Sequence, residues 1–172
     1  MKAVTLQDGS VVRLRPIRPE DEPELIAFHG RLSRETAYRR FLSVMPRLPS
    51  DLAHLLANVD YDRRMAIVAI GPEEQIIAVA RYKYDEAAGE AEIALVVQDQ
   101  WQGKGLGTLL FGELLAYAET RGIPRFRAYV LWDNQRMLDM LTRFTEILER
   151  RTEFGVVSLL FAPRPRTEPA AA

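Results

Sequence analysis

A glycine-rich loop, Gln102-Gly103-Lys104-Gly105-Leu106-Gly107-Thr108, is the part of the sequence best suited to bind an anion. It lies between an apolar run that ends at Val97 and a run with helical periodicity, so a strand should precede it and a helix should follow it. Glycines on alternate positions let the backbone turn tightly and expose successive N–H groups. The helix adds unpaired amides and the positive end of its dipole. The loop is therefore predicted to bind a phosphate group, with Lys104 as a mobile cation beside it.

Two common phosphate loops do not match this spacing. A dinucleotide fingerprint, G-x-G-x-x-G, requires glycine at Thr108 or Leu110, and a P-loop requires Ser or Thr directly after Gly-Lys, where Gly105 stands. A tight turn without a ligand is the simpler alternative for glycines that follow a strand. The pattern that fits without a gap is Q/R-x-x-G-x-G/A, with Gln102, Gly105 and Gly107 at its fixed positions.

Composition and charge argue against several classes of protein. The 172 residues, 48% of them hydrophobic, are enough for one domain with a single core. The 23 basic and 24 acidic residues nearly balance, so neither nucleic acid nor an anionic membrane is expected as a partner. The absence of cysteine excludes a disulfide framework and a thiol nucleophile, and two lone histidines make a metal site an unexpected feature. With no signal-like start and no membrane-length apolar run, a cytoplasmic location is expected.

The elements that must position the loop follow from hydrophobic periodicity. The middle of the chain predicts an antiparallel meander of three strands over residues 65–70, 75–84 and 91–97. The run from Leu106 to Thr120 has one apolar face and ends before Gly122, which is typical of a helix packed on a sheet.

The flanking segments complete the predicted order of elements. Before the meander we expect a strand over residues 11–17 and three helices that begin near Glu20, Ser33 and Ser50, with Ser50 as a cap and Ile26 on an inner face. After the loop helix we expect a strand over 126–130, a helix over 134–145 and a strand over 156–161. Residues 1–162 are predicted to form a single domain, and the Pro-, Arg- and Ala-rich tail 163–172 is predicted to be disordered.

The loop pattern and the order of elements resemble the GNAT family of N-acetyltransferases over nearly the whole chain. Three further stretches resemble a narrower group, the acetyltransferase domains of bacterial Pat-type protein lysine acetyltransferases: Arg13 to Pro23, Tyr38-Arg39-Arg40-Phe41, and Asp60 to Ala69. The resemblance implies an α/β (α+β) GNAT fold, with a central mixed, mostly antiparallel sheet splayed at its middle and helices on both faces. It also implies acetyl-CoA as cosubstrate in the splay, without a metal. Many relatives fuse this domain to a large acyl-CoA-synthetase-like region that this sequence does not contain.

Glu92 is the candidate general base. An amine acetyltransferase must remove a proton from an ammonium, whose pKa is about 10.4 for lysine, before the amine can attack a thioester. Glu92 is a lone carboxylate in an apolar run directly before the loop, and burial is expected to raise its pKa. Pat-type domains resemble this chain here, with a glutamate as general base in an Ala-Glu-x-Ala setting. A strand-edge glutamate pointing into water is the alternative, and Glu90, nearer the turn, is the weaker competitor.

The resemblance also implies how the coenzyme is held. Its pyrophosphate would lie on the amides of Gln102, Gly103, Lys104, Gly105, Leu106, Gly107 and Thr108. Its pantetheine arm would pair with the backbone of Leu95, Val96 and Val97 like an added strand. Asn134 is a candidate pantetheine contact or only a helix cap. The tyrosine that protonates the leaving thiolate in many GNAT enzymes is replaced by Leu141, as is common in Pat-type domains.

The predicted function is direct transfer of an acetyl group from acetyl-CoA to an amine, with protein lysine as the expected acceptor. Asp60, Asp62, Asp85 and Glu86 are expected to form an acidic rim for a lysine. Two alternatives stay open: a small-molecule amine as acceptor, and a catalytically inactive acyl-CoA-binding regulatory module.

Overall fold

Eight strands form one sheet in the computed structural model, which describes residues 2–165. In chain order the strands are β1 Lys2–Thr5, β2 Val11–Pro16, β3 Arg64–Ile70, β4 Ile76–Asp85, β5 Glu90–Val97, β6 Phe126–Leu131, β7 Thr145–Glu153 and β8 Val156–Pro163. The helices are α1 Glu22–Arg31, α2 Arg34–Phe41, α3 Ser50–Ala57, α4 Leu106–Thr120 and α5 Gln135–Phe144. The strand order across the sheet is β1-β2-β3-β4-β5-β6-β8-β7.

The pairing changes character at the middle of the sheet. Strands β1 to β5 pair antiparallel with their chain neighbours, and β6, β8 and β7 form a second antiparallel group. The two groups meet at β5 and β6, which run parallel and pair only at Ala91–Phe126 and Glu92–Arg127. Beyond those pairs the strands diverge, so the sheet is splayed as the resemblance implied.

Helices cover both faces of the sheet, as expected. On one face Leu106, Leu110, Leu114 and Ala118 of α4 are fully or almost fully buried in the larger core, on the side of the sheet that also buries Phe126. On the other face α1 and α3 close a second core with residues such as Phe28, Ala53 and Val79. No helix among residues 2–165 is long and apolar enough to cross a membrane.

Several predicted details of the elements are wrong. Strands β1 and β7 were not predicted, because β1 is very short and β7 is an edge strand whose charged sequence lacks alternation. Ser50 is the first residue of α3 and caps nothing with its side chain, since Pro49 occupies the N-cap position. Ile26 is 38% exposed because the buried stripe of α1 follows Leu25 and Phe28 instead.

The first residues of the predicted C-terminal tail are in contact with the domain. Pro163 ends β8, and the Arg164 side chain donates to the carbonyl oxygens of Thr145 and Thr142 at 3.3 and 3.1 Å. These bonds fix the chain just beyond the predicted domain end. The rest of the predicted tail, residues 166–172, lies outside the described residues.

Candidate active site

The divergence of β5 and β6 leaves backbone groups of β5 facing a cleft. Hydrogen-bonding groups of an antiparallel strand point alternately to its two sides. The Ala91 N–H donates to Arg125 O on the β6 side, and the Gln98 N–H donates to Ile77 O on the β4 side. By this alternation Leu95 and Val97 face the splay, whereas the polar backbone groups of Val96 face β4. The backbone groups of two of the three predicted residues, Leu95 and Val97, therefore face the cleft. Val96 lines the cleft, but its backbone N–H and C=O point to β4.

The loop after β5 presents a row of unpaired donors. A 3-10 turn over Asp99–Trp101 leads into it, and Gly103 and Gly105 have φ of 75° and 85°, a left-handed backbone that favours glycine. From Gly103 to Thr108 no backbone N–H has a hydrogen-bond acceptor among residues 2–165. These donors include the first turn of α4, where helix geometry leaves amides free for an anion. The loop thus has the features needed to bind a pyrophosphate.

A cavity of about 430 Å³ joins the loop to the exposed edge of β5. Its wall on the far side is the face of α5 that carries Met137, Met140 and Phe144, and Arg136 and Arg143 add positive charge. The predicted coenzyme residues that line it are Leu95, Val96, Val97, Gln102, Gly103, Gly105, Gly107, Thr108 and Asn134. The buried indole Nε1 of Trp101, also in the wall, has no hydrogen-bond partner among the described residues.

The side chains of two residues predicted to contact the coenzyme, Lys104 and Leu106, have other partners in the structure. Lys104 forms an ion pair with Asp8 at 2.8 Å and lies 4.8 Å from the ring centroid of Trp101. Leu106 is 1% exposed and packs in the core below α4. The predictions for these two residues therefore concern only their backbone N–H groups. The turn that carries Asp8 also places Gln7 in the cavity wall, a position that nothing in the sequence pattern indicated.

Gln102 connects three parts of the site. Its side-chain amide donates to Val97 O at 2.9 Å and to the Thr36 hydroxyl at 3.3 Å, and its Oε1 accepts from Arg136 at 3.2 Å. This bond occupies the Val97 carbonyl, so Val97 offers a ligand its N–H. The glutamine in the motif thereby links β5, α2 and α5 around the cavity.

Asn134 is a helix cap in the structure, which is one of the two roles considered for it. Its Oδ1 accepts from the Met137 N–H at 3.4 Å and caps α5. The residue also lines the loop cavity and the neighbouring cavity that contains Glu92. It therefore lies at the boundary between the two.

Glu92 lines this second cavity of about 150 Å³, between β5, β6 and the end of α2. Its side chain is exposed, so the expected burial is wrong. The reason is the splay, because β6 diverges directly after its pair with Glu92 and leaves the side chain in an open cleft. Glu92 and Leu95 belong to the same strand, so Glu92 lies three residues before the point where the backbone edge of β5 becomes exposed.

Glu90 is held by a different partner. Its carboxylate accepts two bonds from the guanidinium of Arg127, at 2.6 and 3.3 Å. The hydrogen bond to Glu90 is also the main reason that the pKa of Arg127 is raised. Of the two carboxylates near the start of β5, Glu92 is the one without an ion pair among residues 2–165.

Two arginines, Arg40 and Arg81, lie close to this cleft, and the sequence predicted no functional role for either. Burial lowers the pKa of Arg40 to about 10, although the negative charge of Glu92 opposes this decrease. Burial also lowers the pKa of Arg81 to about 9, assisted by the positive charges of Arg40 and Arg64. The only earlier signal was the Tyr-Arg-Arg-Phe stretch that contains Arg40.

The expected acidic rim does not form around the cleft. Asp60 accepts backbone N–H bonds from Asp62 and Arg64, and Glu86 forms an ion pair with Arg63 at 3.3 Å. These residues lie at the far end of the β4–β5 hairpin and the loop beside it, because β4 and β5 carry the turn away from the splay. Leu141, at the position of the missing tyrosine, is completely buried in the core. Residues 2–165 contain no group of three or more potential metal ligands.

Comparisons with known proteins agree with this geometry. Residues 12–144 match the family model for an acetyltransferase (GNAT) domain. The acetyltransferase Pat of Mycolicibacterium smegmatis is 36% identical over 157 residues, which are 90% of this chain but 46% of that protein. The acetyltransferase PA5475 of Pseudomonas aeruginosa is 31% identical over 79% of this chain and 75% of its own length.

A solved structure extends the likeness to the fold. The GNAT domain of S. lividans PAT matches with a TM-score of 0.85 and 34% identity, covering 94% of this chain and 96% of that domain. This match covers the splayed sheet and the helices on both of its faces. The chain is therefore an acetyltransferase domain of the GNAT family, and the predicted fold class and enzyme class are confirmed.

Proposed function

We propose that this domain transfers the acetyl group of acetyl-CoA directly to the side-chain amine of a lysine in a protein. One observation carries the proposal: the unpaired loop amides, the exposed edge of β5 and the carboxylate of Glu92 follow one another along a single strand and its loop. That order matches the order of pyrophosphate, pantetheine arm and reacting thioester in the cosubstrate. GNAT acetyltransferases use acetyl-CoA for this purpose.

The residues that would hold the coenzyme are those of the loop cavity. The N–H groups from Gly103 to Thr108 would bind the pyrophosphate, and Leu95 and Val97 would pair with the pantetheine amides as a neighbouring strand would. Met137 and Met140 would pack against the arm from the α5 side. When bound, acetyl-CoA supplies an activated acyl group as a thioester.

Glu92 would accept the proton that the acceptor amine must lose. A lysine ammonium has a pKa of about 10.4, so at neutral pH nearly all of it is protonated and cannot attack a carbonyl carbon. Glu92 lies in the cleft next to the strand edge, and its competitor Glu90 is engaged by Arg127. The accessible position of Glu92 supports a role in which it meets an incoming substrate from solvent.

A lysine on a protein surface is favoured as acceptor because the cleft is open on this side. Glu92 is exposed, and Tyr129, which lines the same cavity from β6, is 45% exposed. Tyr129 alternates along β6 with the buried Ala128 and Val130 and is the exposed residue of the three, so a large partner could approach on its side. The similarity to the relatives named Pat and PAT supports the same choice of acceptor.

The test is incubation of the purified domain with labelled acetyl-CoA and either bacterial cell protein or a panel of small amines. Label on lysine side chains of folded proteins, located by mass spectrometry, is the expected result. Label on small amines alone would replace the protein-lysine assignment with a small-molecule acetyltransferase. Binding of acetyl-CoA without any turnover would instead identify a regulatory module. The Gly107→Leu variant is the negative control, because its added side chain would enter the loop cavity and should reduce the transfer of label.

A further inference from the structure

Arg40 lies where three cavities meet. It lines the loop cavity together with Leu95 and Val97, and it lines the cavity that contains Glu92. It also borders a small inner cavity of about 30 Å³, whose wall includes Phe28 and Arg81. A thioester held by the edge of β5 and attacked by an amine beside Glu92 must lie at this junction. Arg40 therefore borders the space in which the atoms would react.

The guanidinium of Arg40 has no hydrogen bond or ion pair with another residue among residues 2–165. Its planar group is 4.5 Å from the ring centroid of Phe41, which orients it without neutralising it. The neighbouring Arg39 is paired with Glu35 at 2.9 Å, and Arg81 donates to Leu56 O at 3.1 Å. The charge of Glu92 acts on this partly buried cation without a hydrogen bond to it, so the guanidinium donors are available to an anion in the cleft.

The reaction generates such an anion. In many GNAT enzymes a tyrosine compensates the leaving thiolate, but that position is the buried Leu141 here. Tyr129 lines the cavity of Glu92 and not the loop cavity, so its hydroxyl is on the acceptor side. Arg40 borders both cavities and keeps its proton at neutral pH, as guanidinium groups in proteins do.

We propose that Arg40 is a catalytic residue that stabilises the coenzyme thiolate as it leaves. This proposal rests on the proposed function. The amine nitrogen forms a bond to the carbonyl carbon, its proton passes to Glu92, and the carbon–sulfur bond breaks with the electron pair remaining on sulfur. Arg40 compensates this charge electrostatically without giving up a proton. The thiolate then takes its proton from water or from Glu92 after release.

Other charged and titratable groups also face this junction, so a measurement must separate Arg40 from them. From the elements that surround it these groups are His29, Arg39, Arg81, Glu92, Tyr129, Arg136, Asp139 and Arg143. The substitution that isolates Arg40 is Arg40→Met, which keeps length and apolar bulk and removes the charge. Arg34→Met is the matched control, because Arg34 is an exposed arginine in the same helix.

The direct test is the pKa of the thiol of bound CoA, followed by the ultraviolet absorbance of the thiolate during a pH titration. A cation next to the sulfur favours the thiolate, so the bound thiol of the parent protein should titrate about one to three units below free CoA. Arg40→Met should lose most of this shift, Arg40→Lys should keep part of it, and Arg34→Met should keep all of it. Under saturating acetyl-CoA, Arg40→Met should also lower kcat by about 10²- to 10³-fold.

Two outcomes overturn the proposal independently of whether Arg40→Met folds. One is an unshifted thiol in CoA bound to the parent protein, and the other is an equal shift in Arg40→Lys, Arg40→Met and parent. If instead the parent binds no CoA at all, the proposed function itself fails. The two failures are thus distinguishable in one titration series.

Discussion

At the α4 end of the cleft the backbone N–H groups of residues 103–108 are without acceptors among the described residues, whereas near Glu92 the polar groups that line the cleft are charged side chains. The first set comes from one continuous stretch of chain. The second comes from elements far apart in sequence, Arg40 from α2 and Glu92 from β5. We therefore expect the α4 end to be sensitive to backbone shape and the Glu92 end to be sensitive to charge.

The largest effect is expected for Glu92→Gln. This change keeps size and hydrogen bonding but removes basicity, so turnover should fall by about 10²- to 10⁴-fold while CoA affinity stays nearly constant. High pH should restore part of the rate, because deprotonated amine becomes available from solution. Profiles of rate against pH under saturating acetyl-CoA would measure both effects.

Glu90→Gln is the matched control for this prediction, since Glu90 lies two residues away and is paired with Arg127. It should retain most of the turnover. Parallel pH profiles for Glu92→Gln and the parent, with less than about a threefold difference in rate, would show that the proton leaves by another route.

A substitution at the other end of the cleft should affect binding first. A Cβ atom on Gly107 would lie 3.5 Å from Leu95 Cδ2 and 3.6 Å from Val97 Cγ2, so Gly107→Leu would project a side chain into the space between loop and strand edge. We expect CoA affinity to fall at least about tenfold, or ~1.4 kcal/mol, in a calorimetric titration. An unchanged dissociation constant would contradict the proposed coenzyme position.

The control for Gly107 is another glycine of the same helix. Gly112 is exposed, and a Cβ there would meet nothing within 4 Å. Gly112→Ala should leave CoA binding unchanged and should stabilise the fold by up to about 1 kcal/mol through helix propensity. Loss of CoA binding in this variant would mean that α4 responds to substitution in general.

Much of the fold and of the α4 end of the cleft could be predicted from the sequence. The boundaries of α4 and the strands on either side followed from periodicity, and the glycine spacing located the loop. These are local properties, in which neighbouring residues in the chain determine the structure. The edge strand β7 was missed because it is exposed over most of its length and is defined by its pairing with β8, not by an alternating pattern.

The Glu92 end was less predictable for a physical reason. Glu92 was located correctly in β5, but its exposure depends on the divergence of β6, which is a tertiary feature. Arg40 and Arg81 come close together only because α2 packs over β5, the neighbour of β4 in the sheet, and no spacing in the sequence records that. The acidic rim was expected from charge alone, without knowledge of which end of the hairpin faces the splay.

A smaller effect, on stability alone, is expected where α1 is anchored to β2. Asp21 accepts two bonds from Arg15, at 2.7 and 2.8 Å, and one from the Arg18 N–H. Burial opposes ionisation, but these bonds outweigh it and lower the pKa of Asp21. Asp21→Asn should cost about 1–3 kcal/mol at neutral pH, with turnover per folded molecule unchanged.

The pH dependence of that cost has a definite sign. Because the pKa of Asp21 is lower in the folded protein, its contribution is fully present above the unfolded value of about 3.9 and is lost as the pH falls further. Denaturant unfolding at a series of pH values should show the parent and Asp21→Asn converging in acid. A difference in stability that does not change with pH would exclude the ion pair as its source.

The smallest effect is expected for Lys104→Met. Although Lys104 is in the loop, its ammonium is paired with the exposed Asp8, and exposed ion pairs contribute about 0–1 kcal/mol. CoA affinity should change by less than about fivefold, far less than for Gly107→Leu. A loss comparable to that of Gly107→Leu would mean that the lysine leaves Asp8 and binds the phosphates.

Hydrogen exchange of single amides, with and without CoA, tests most directly whether the backbone of this loop and strand edge holds the coenzyme. The N–H groups from Gly103 to Thr108 lack acceptors among the described residues, so they should exchange rapidly in the free protein. Saturating CoA should slow their exchange, together with that of Leu95 and Val97, and leave the Val96 amide, which faces β4, little changed. Unaltered exchange from Gly103 to Thr108 in a protein that binds CoA would contradict the account.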